Sequence, residues 1–175
     1  MTACVYPGSF DPFTNGHMDI ANRALNVFDK VIILICSNSA KGKRLIPAEQ
    51  MKECIEYDMQ VHFENAGKVT VDILPEGLSV PDYMKSHRVS LNNRMNILRG
   101  IRDASDATAE LRLADQYKYF SGDADIELVP LIARPEYRGL SSSLVREMLK
   151  LSDVGMKEWP VPPAVALAIQ DVLKK

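Results

Sequence analysis

The stretch Tyr6-Pro7-Gly8-Ser9-Phe10-Asp11-Pro12-Phe13-Thr14-Asn15-Gly16-His17 concentrates turn formers and short polar side chains between an apolar run and an amphipathic one. Pro7, Gly8, Pro12 and Gly16 stiffen the chain or remove side chains that would obstruct a ligand, while Ser9, Thr14 and Asn15 offer hydroxyl and amide hydrogen bonds. His17 then falls in the first turn of the following helix, beside free backbone N–H groups and the positive end of the helix dipole. That is a natural position for an anion.

Three further stretches suit phosphate groups. Lys41-Gly42-Lys43-Arg44 puts three cations in four residues. Arg99-Gly100-Ile101-Arg102 offers two planar guanidiniums suited to bidentate phosphate contacts, with Gly100 expected to let the backbone turn between them. Leu140-Ser141-Ser142-Ser143-Leu144-Val145-Arg146 places three hydroxyls at an expected helix N-terminus. Each stretch alone is equally an ordinary basic loop or helix cap, so the force of the reading lies in their coincidence.

Short apolar runs alternate with helical patterns, the signature of a parallel α/β sheet. Strands are expected at 3–6, 30–36, 68–73, 95–98 and 126–132, several nearly continuous in Val, Ile and Leu, as for strands covered on both faces. Helices are expected at 16–28, with Ile20, Ala21, Ala24, Leu25 and Phe28 on one face, and at 47–60, 103–120, 142–151 and 162–175. The segment 86–93 reads as a lengthened surface connection. In such a sheet ligands bind beyond the carboxyl ends of the strands. His17, Lys41, Arg99 with Arg102, and Ser141 to Ser143 all follow predicted strands, so one rim should gather them.

At 175 residues the chain has the size of one domain, 1–175, and its 46% hydrophobic, 25% charged composition excludes a disordered chain. No apolar run is long enough to span a bilayer and the first residues lack a secretory pattern, so the cytoplasm is the expected compartment, with no membrane partner. The net charge of −2 gives no global attraction for nucleic acid, which is not expected as a partner. Cys4, Cys36 and Cys54 form no C-x-x-C pair and read as small core residues. There is no P-loop, no G-x-G-x-x-G after the first strand and no H-E-x-x-H, so no metal-ligand cluster is expected. His62 and His87 read as solvated surface residues.

YPGSFDPFTNGH resembles the T/H-x-G-H nucleotide-binding motif as it stands in phosphopantetheine adenylyltransferases. RGIR at 99–102 resembles that family's R-G-[LI]-R, and Leu140 to Arg146 its I-S-S-[ST]-x-x-[RK]; the three occur in family order. The resemblance implies the nucleotidyltransferase fold, a Rossmann-like open parallel five-stranded sheet with helices on both faces. It implies transfer of AMP from ATP to 4'-phosphopantetheine, giving dephospho-coenzyme A and pyrophosphate with Mg²⁺ assisting, in a homo-oligomer that is usually a hexamer. By this match His17, Lys41 and Arg99 are catalytic. Ser9, Phe10, Thr14, His17, Arg102, Glu110 and Ser141, Ser142 and Ser143 bind ATP, and Ser9, Lys41, Leu78 and Arg99 bind the acceptor. The stretch after RGIR departs from the family's aromatic-rich pattern: Ala107 and Ala109 stand where aromatics are usual, and Tyr117 where Asn is. An adenylyl- or cytidylyltransferase with another phosphorylated acceptor, and a nucleotide binder without catalysis, remain open alternatives at this point.

Overall fold

The computed structural model describes residues 2–37, 42–87, 94–121, 125–151 and 159–174, without the side chains of 94, 95, 120 and 121. Five parallel strands form one sheet in the order β3-β2-β1-β4-β5, with β1 at Ala3–Gly8, β2 at Lys30–Ile35, β3 at Val69–Ile73, β4 at Arg94–Ile101 and β5 at Asp125–Ile132. The helices are α1 Asn15–Ala24, α2 Ala48–His62, α3 Val80–Ser86, α4 Ala104–Ser121, α5 Ser142–Lys150 and α6 Pro163–Leu173.

Side chains along a strand alternate between faces, and here both faces are buried. Cys4 and Tyr6 of β1 with Val31, Ile33 and Ile35 of β2 join one cluster, closed by Ile20, Ala21 and Ala24 of α1, Met51 and Ile55 of α2, Val145 of α5 and Val165 and Ile169 of α6. Val5, Ile32 and Leu34 point the other way and pack with Val80, Tyr83 and Met84 of α3, with half-buried Tyr117 of α4 beside them. The unbroken apolar runs expected of doubly covered strands follow from this burial.

Three details differ from the expectations. Helix α3 is additional, because seven residues are too few to show a helical period; its signal is local, a Ser79-x-x-Asp82 capping box with Pro in the first turn. Helix α1 stops at Ala24, although Phe28 stays buried beyond it. Strand β4 continues through Arg99, Gly100 and Ile101, which pair with Pro130, Leu131 and Ile132. Gly100 is therefore not a turn. A Cβ on it would lie 3.2 Å from Ile20 Cγ1 and 3.6 Å from Tyr6 Oη, so the missing side chain lets α1 lie close against β4. Segment 86–93 is described only at Ser86, which ends α3, and at His87; the rest lies outside the described residues. His62 and His87 are exposed, and the three cysteines are free, with Cys4 buried and the others half-buried.

Candidate functional site

The sheet changes direction at β1: the chain moves outward to β2 and β3 on one side and to β4 and β5 on the other. Ligand clefts form at such a switch point, and the local cause is legible. Gly8 O accepts from Cys36 N at 2.8 Å, so it faces β2, and by strand alternation Pro7 faces β4. Proline has no N–H to give. The β1–β4 ladder pairs only Cys4 with Asn96 and Val5 with Ile97, while β1–β2 pairing continues to Gly8 and β4–β5 pairing to Ile101. Beyond Val5 the two strands part, and Arg99 bridges the gap by donating Nη1–H to Pro7 O at 2.6 Å. The opening is a cavity of about 290 Å³.

His17 stands in this cavity as the third residue of α1. Thr14 Oγ1 accepts from His17 N at 3.4 Å, and His17 Nδ1 lies 3.0 Å from Thr14 N, a reciprocal capping box. A backbone N–H can only donate, so Nδ1 accepts; in the neutral ring the proton then sits on Nε2, on the far side of the ring from Thr14. Phe10, Phe13 and Tyr6 surround the imidazole at centroid distances of 5.1, 5.5 and 6.4 Å and fix its plane. The arrangement presents a hydrogen-bond donor rather than a proton acceptor.

Both arginines of the fourth-strand motif line the cavity, each held by a carboxylate. Arg99 Nη2 donates to Glu110 Oε1 at 2.6 Å, with the side chains 21% and 13% exposed. Burial alone would depress the Arg99 guanidinium, but the hydrogen bond and charge of Glu110 raise it, so it stays a cation. Arg102 grips Asp106 through Nε at 2.7 Å and Nη2 at 2.9 Å, and these bonds hold the Asp106 carboxyl below the usual carboxylate range. Arg99 Nε and Glu110 Oε2 are buried with no hydrogen-bond partner among the described residues. Buried polar atoms are rarely left so, and a donor and an acceptor orphaned on one ion pair in a cavity point to a polar ligand.

Also lining the cavity, Ser141 caps α5, its hydroxyl oxygen accepting from Leu144 N at 3.0 Å. Ser142 Oγ donates to Pro12 O at 2.8 Å, and Ser143 Oγ accepts from Arg146 Nη2 at 3.2 Å. The Ser142 proton is thus committed to the first loop, whereas Ser141 and Ser143 use oxygen and can direct their protons at an anion beside the α5 N–H groups.

The cavity therefore gathers Ser9, Phe10, Thr14, His17, Arg99, Arg102, Glu110 and Ser141 to Ser143. Leu78 is 42% exposed and is not among the lining residues. Lys41 lies outside the described residues, as do 38–40. Asp106 and Tyr137 also line the cavity without having been singled out for it. Asp106 has a sequence signal, an i,i+4 relation to Arg102. Tyr137 sits in a 3-10 turn, Pro135–Tyr137, close to Gly16, where a Cβ would lie 3.4 Å from Tyr137 Cβ.

A parallel sheet parted at its switch point, with an imidazole donor, two restrained guanidiniums and a serine-capped helix end around one hollow, is the equipment of a nucleotidyltransferase. The family model described as cytidylyltransferase-like matches residues 5–148. The fold is shared with a bifunctional NMN adenylyltransferase/ADP ribose pyrophosphatase from Francisella tularensis, solved with AMP and a Mn ion, at TM-score 0.64 and 18% identity. The alignment covers 99% of this chain and 52% of that one, so the chain spans about half of that protein. Phosphopantetheine adenylyltransferase from Thermotoga neapolitana is 37% identical over 171 residues, covering 98% of this chain and 96% of that protein. The same enzyme from Thermodesulfovibrio yellowstonii is 35% identical over 171 residues, with 98% and 97% covered. The chain belongs to the phosphopantetheine adenylyltransferase family. No helix among the described residues is long and apolar enough to cross a membrane.

Proposed function

We propose that the chain transfers AMP from ATP to 4'-phosphopantetheine, producing dephospho-coenzyme A and pyrophosphate, in the synthesis of coenzyme A. The observation that carries this reading, beyond family membership, is the convergence of His17, Arg99, Arg102 and the α5 N-terminus on one cavity at the switch point. An acceptor phosphate oxygen attacks the α-phosphorus of ATP; the new O–Pα bond forms as the bond to the β-phosphate oxygen breaks, and pyrophosphate leaves with both electrons of that bond. The attacking oxygen is already charged at neutral pH, so no strong base is needed. What the reaction needs is placement and donors aimed at spreading negative charge.

His17 Nε2–H serves as the donor to the phosphate that changes charge. The α5 N–H groups with Ser141 and Ser143, together with Arg102, Thr14, Ser9, Phe10 and Glu110, hold ATP; the buried Oε2 of Glu110 offers the acceptor for a nucleotide hydroxyl or amine. Arg99, through its Nε, takes the acceptor phosphate, with Ser9, Leu78 and Lys41 on the acceptor's side. Mg²⁺ suits this donor set as a companion of the nucleotide, because it keeps waters and binds mainly through phosphates. No group of three or more metal-binding side chains occurs among the described residues, and Asp106 and one oxygen of Glu110 are spent on arginines. Bound there, Mg²⁺ supplies charge neutralisation on the departing pyrophosphate. A cytosolic homo-oligomer, a hexamer, is the expected assembly, checked by light scattering.

Incubation with ATP, Mg²⁺ and 4'-phosphopantetheine, followed for pyrophosphate, tests the reading. Release dependent on 4'-phosphopantetheine supports it; release only with another phosphorylated acceptor, or binding of ATP without release, overturns it.

A further inference from the structure

Three consecutive carbonyls of the loop before α1 are each held by a side chain from elsewhere in the chain. Phe10 O accepts from Arg44 Nη2 at 3.4 Å, Asp11 O from Arg146 Nη1, and Pro12 O from Ser142 Oγ at 2.8 Å. The Asp11 carboxylate completes the clasp. Its Oδ1 accepts from Leu45 N at 3.0 Å and Ile46 N at 3.3 Å, and its Oδ2 lies 3.6 Å from Arg146 Nη1. Asp11 is 6% exposed and is not among the residues lining the cavity, so contact with a ligand does not account for a buried charge at this place.

The loop needs such a clasp. Phe10 has φ of 42°, a left-handed conformation that costs a non-glycine residue roughly 1–2 kcal/mol. Its ring folds back so closely over Gly8 that a Cβ there would lie 2.7 Å from Phe10 Cζ. A loop strained in this way holds its shape only when its surroundings over-determine it. The same contacts join the loop to α5, some 130 residues away in sequence, for Ser142 and Arg146 belong to the helix whose N-terminus faces the cavity.

We propose that Asp11 is a positioning residue which, with Arg146, sets where His17 stands relative to a nucleotide held at the α5 N-terminus. The inference rests on the adenylyl-transfer reading. Asp11 touches no substrate; it acts through the loop that delivers His17 Nε2–H. Removing it leaves the α5 N–H groups, Ser141, Arg102 and Glu110 in place and misaligns the donor with the loop that carries it, and a misplacement on the order of 1 Å is enough to lower turnover about 100-fold.

Steady-state kinetics with ATP, Mg²⁺ and 4'-phosphopantetheine on wild type, Asp11→Asn, Arg146→Met, His17→Ala and the Asp11→Asn/His17→Ala double variant test this. Asp11→Asn is expected to lower kcat roughly 10- to 100-fold with the KM for ATP within about threefold, and Arg146→Met, which also releases Ser143 Oγ, to lower kcat by a similar factor. In the His17→Ala background, Asp11→Asn is expected to cost no more than about twofold, because residues acting as a unit are not additive. Near-normal kcat in both single variants, a raised KM at unchanged kcat, or a full additional loss in the double variant overturns the proposal. Should Asp11→Asn fail to fold, Arg146→Met carries the test, since it leaves the bonds to Leu45 and Ile46 in place. The His17 ring nitrogens, followed by NMR as ATP is added, give a readout independent of the acceptor. A nucleotide-induced shift lost in either variant supports the proposal even if the wild type proves inactive on 4'-phosphopantetheine, which would fail only the functional reading; an unchanged shift sinks it.

Discussion

Replacing His17 separates what its two nitrogens do. Nδ1 accepts from Thr14 N and also lies 3.0 Å from Thr14 Oγ1, while Nε2–H is the donor proposed for the transition state. His17→Ala deletes both. Loss of the cap contact should cost about 1 kcal/mol of stability, and at roughly 2–4 °C per kcal/mol for a chain of this size the Tm should fall by only a few degrees. Loss of the transition-state donor should lower kcat about 10²- to 10³-fold, or roughly 3–4 kcal/mol, with kcat/KM falling by the same factor. His17→Asn restores a short acceptor where Nδ1 stood but cannot reach as far as Nε2. It should recover most of the Tm and little of the turnover. Pyrophosphate release and thermal unfolding on the two purified variants decide the matter. Turnover within tenfold of wild type in His17→Ala would remove the imidazole from the chemistry. Recovery of turnover by His17→Asn would assign the chemistry to the cap rather than to Nε2.

Glu110→Ala strips Arg99 of its carboxylate in a mostly buried setting and should lower stability by about 3 kcal/mol in denaturant unfolding; an unchanged midpoint would mean that solvent already screens the pair. Gly100→Ala forces Ile20 to yield a few tenths of an ångström and should cost about 1–2 kcal/mol, a cost that should shrink when the substitution is made in an Ile20→Ala background. Asp58 is fully buried between α2 and α6, where its Oδ1 accepts from Ala164 N at 3.1 Å. Burial raises its carboxyl above the ordinary range, against the lowering effect of backbone bonds from Ala164 and Val165. A raised acid makes the folded state bind its proton more tightly than the unfolded chain, so its contribution is most favourable below the unfolded pKa of about 4 and is lost as pH rises through the folded value. Asp58→Asn should accordingly be more stable than wild type at pH 7, with the gain vanishing towards pH 4; a gain that grows on acidification would refute the sign.

The strands and the rim were legible because both faces of the sheet are covered, which turns each central strand into an apolar run with a polar stretch at its carboxyl end. Residues 30–35 show this plainly, and residues 6–17 read as a site for the same reason. What stayed hidden depends on contacts between distant segments. Arg99 and Glu110 meet because β4 runs on to Ile101 and α4 folds back over it, and nothing in eleven residues of spacing announces that. Gly100 reads as a turn in the sequence because glycine serves turns and close approaches alike; only the position of Ile20 shows which. Asp11 reads as one more loop residue until Leu45, Ile46 and Arg146 surround it. The short helix α3 escaped for want of a second turn of apolar residues, although its capping box stood in the sequence.

Pairing each cavity arginine with a carboxylate looks at first like poor design for a site that must take a polyanion. Arg99 with Glu110 and Arg102 with Asp106 cancel formally, and the cavity's attraction for phosphate does not come from net charge among the described residues. An unpaired guanidinium in the half-buried cleft would either cost several kcal/mol of desolvation or swing out to water. The carboxylates hold the forks in place before the substrate arrives, and they use only part of them: Arg99 spends Nη1 on Pro7 and Nη2 on Glu110, keeping Nε for a ligand. Direction thus replaces charge. Donors on α1, α5 and Arg99 are aimed in advance, so spreading negative charge meets them without reorganisation, which is where electrostatic catalysis gains most. Neutralising the triphosphate then falls, in the proposed reaction, to the divalent ion that the nucleotide carries with it.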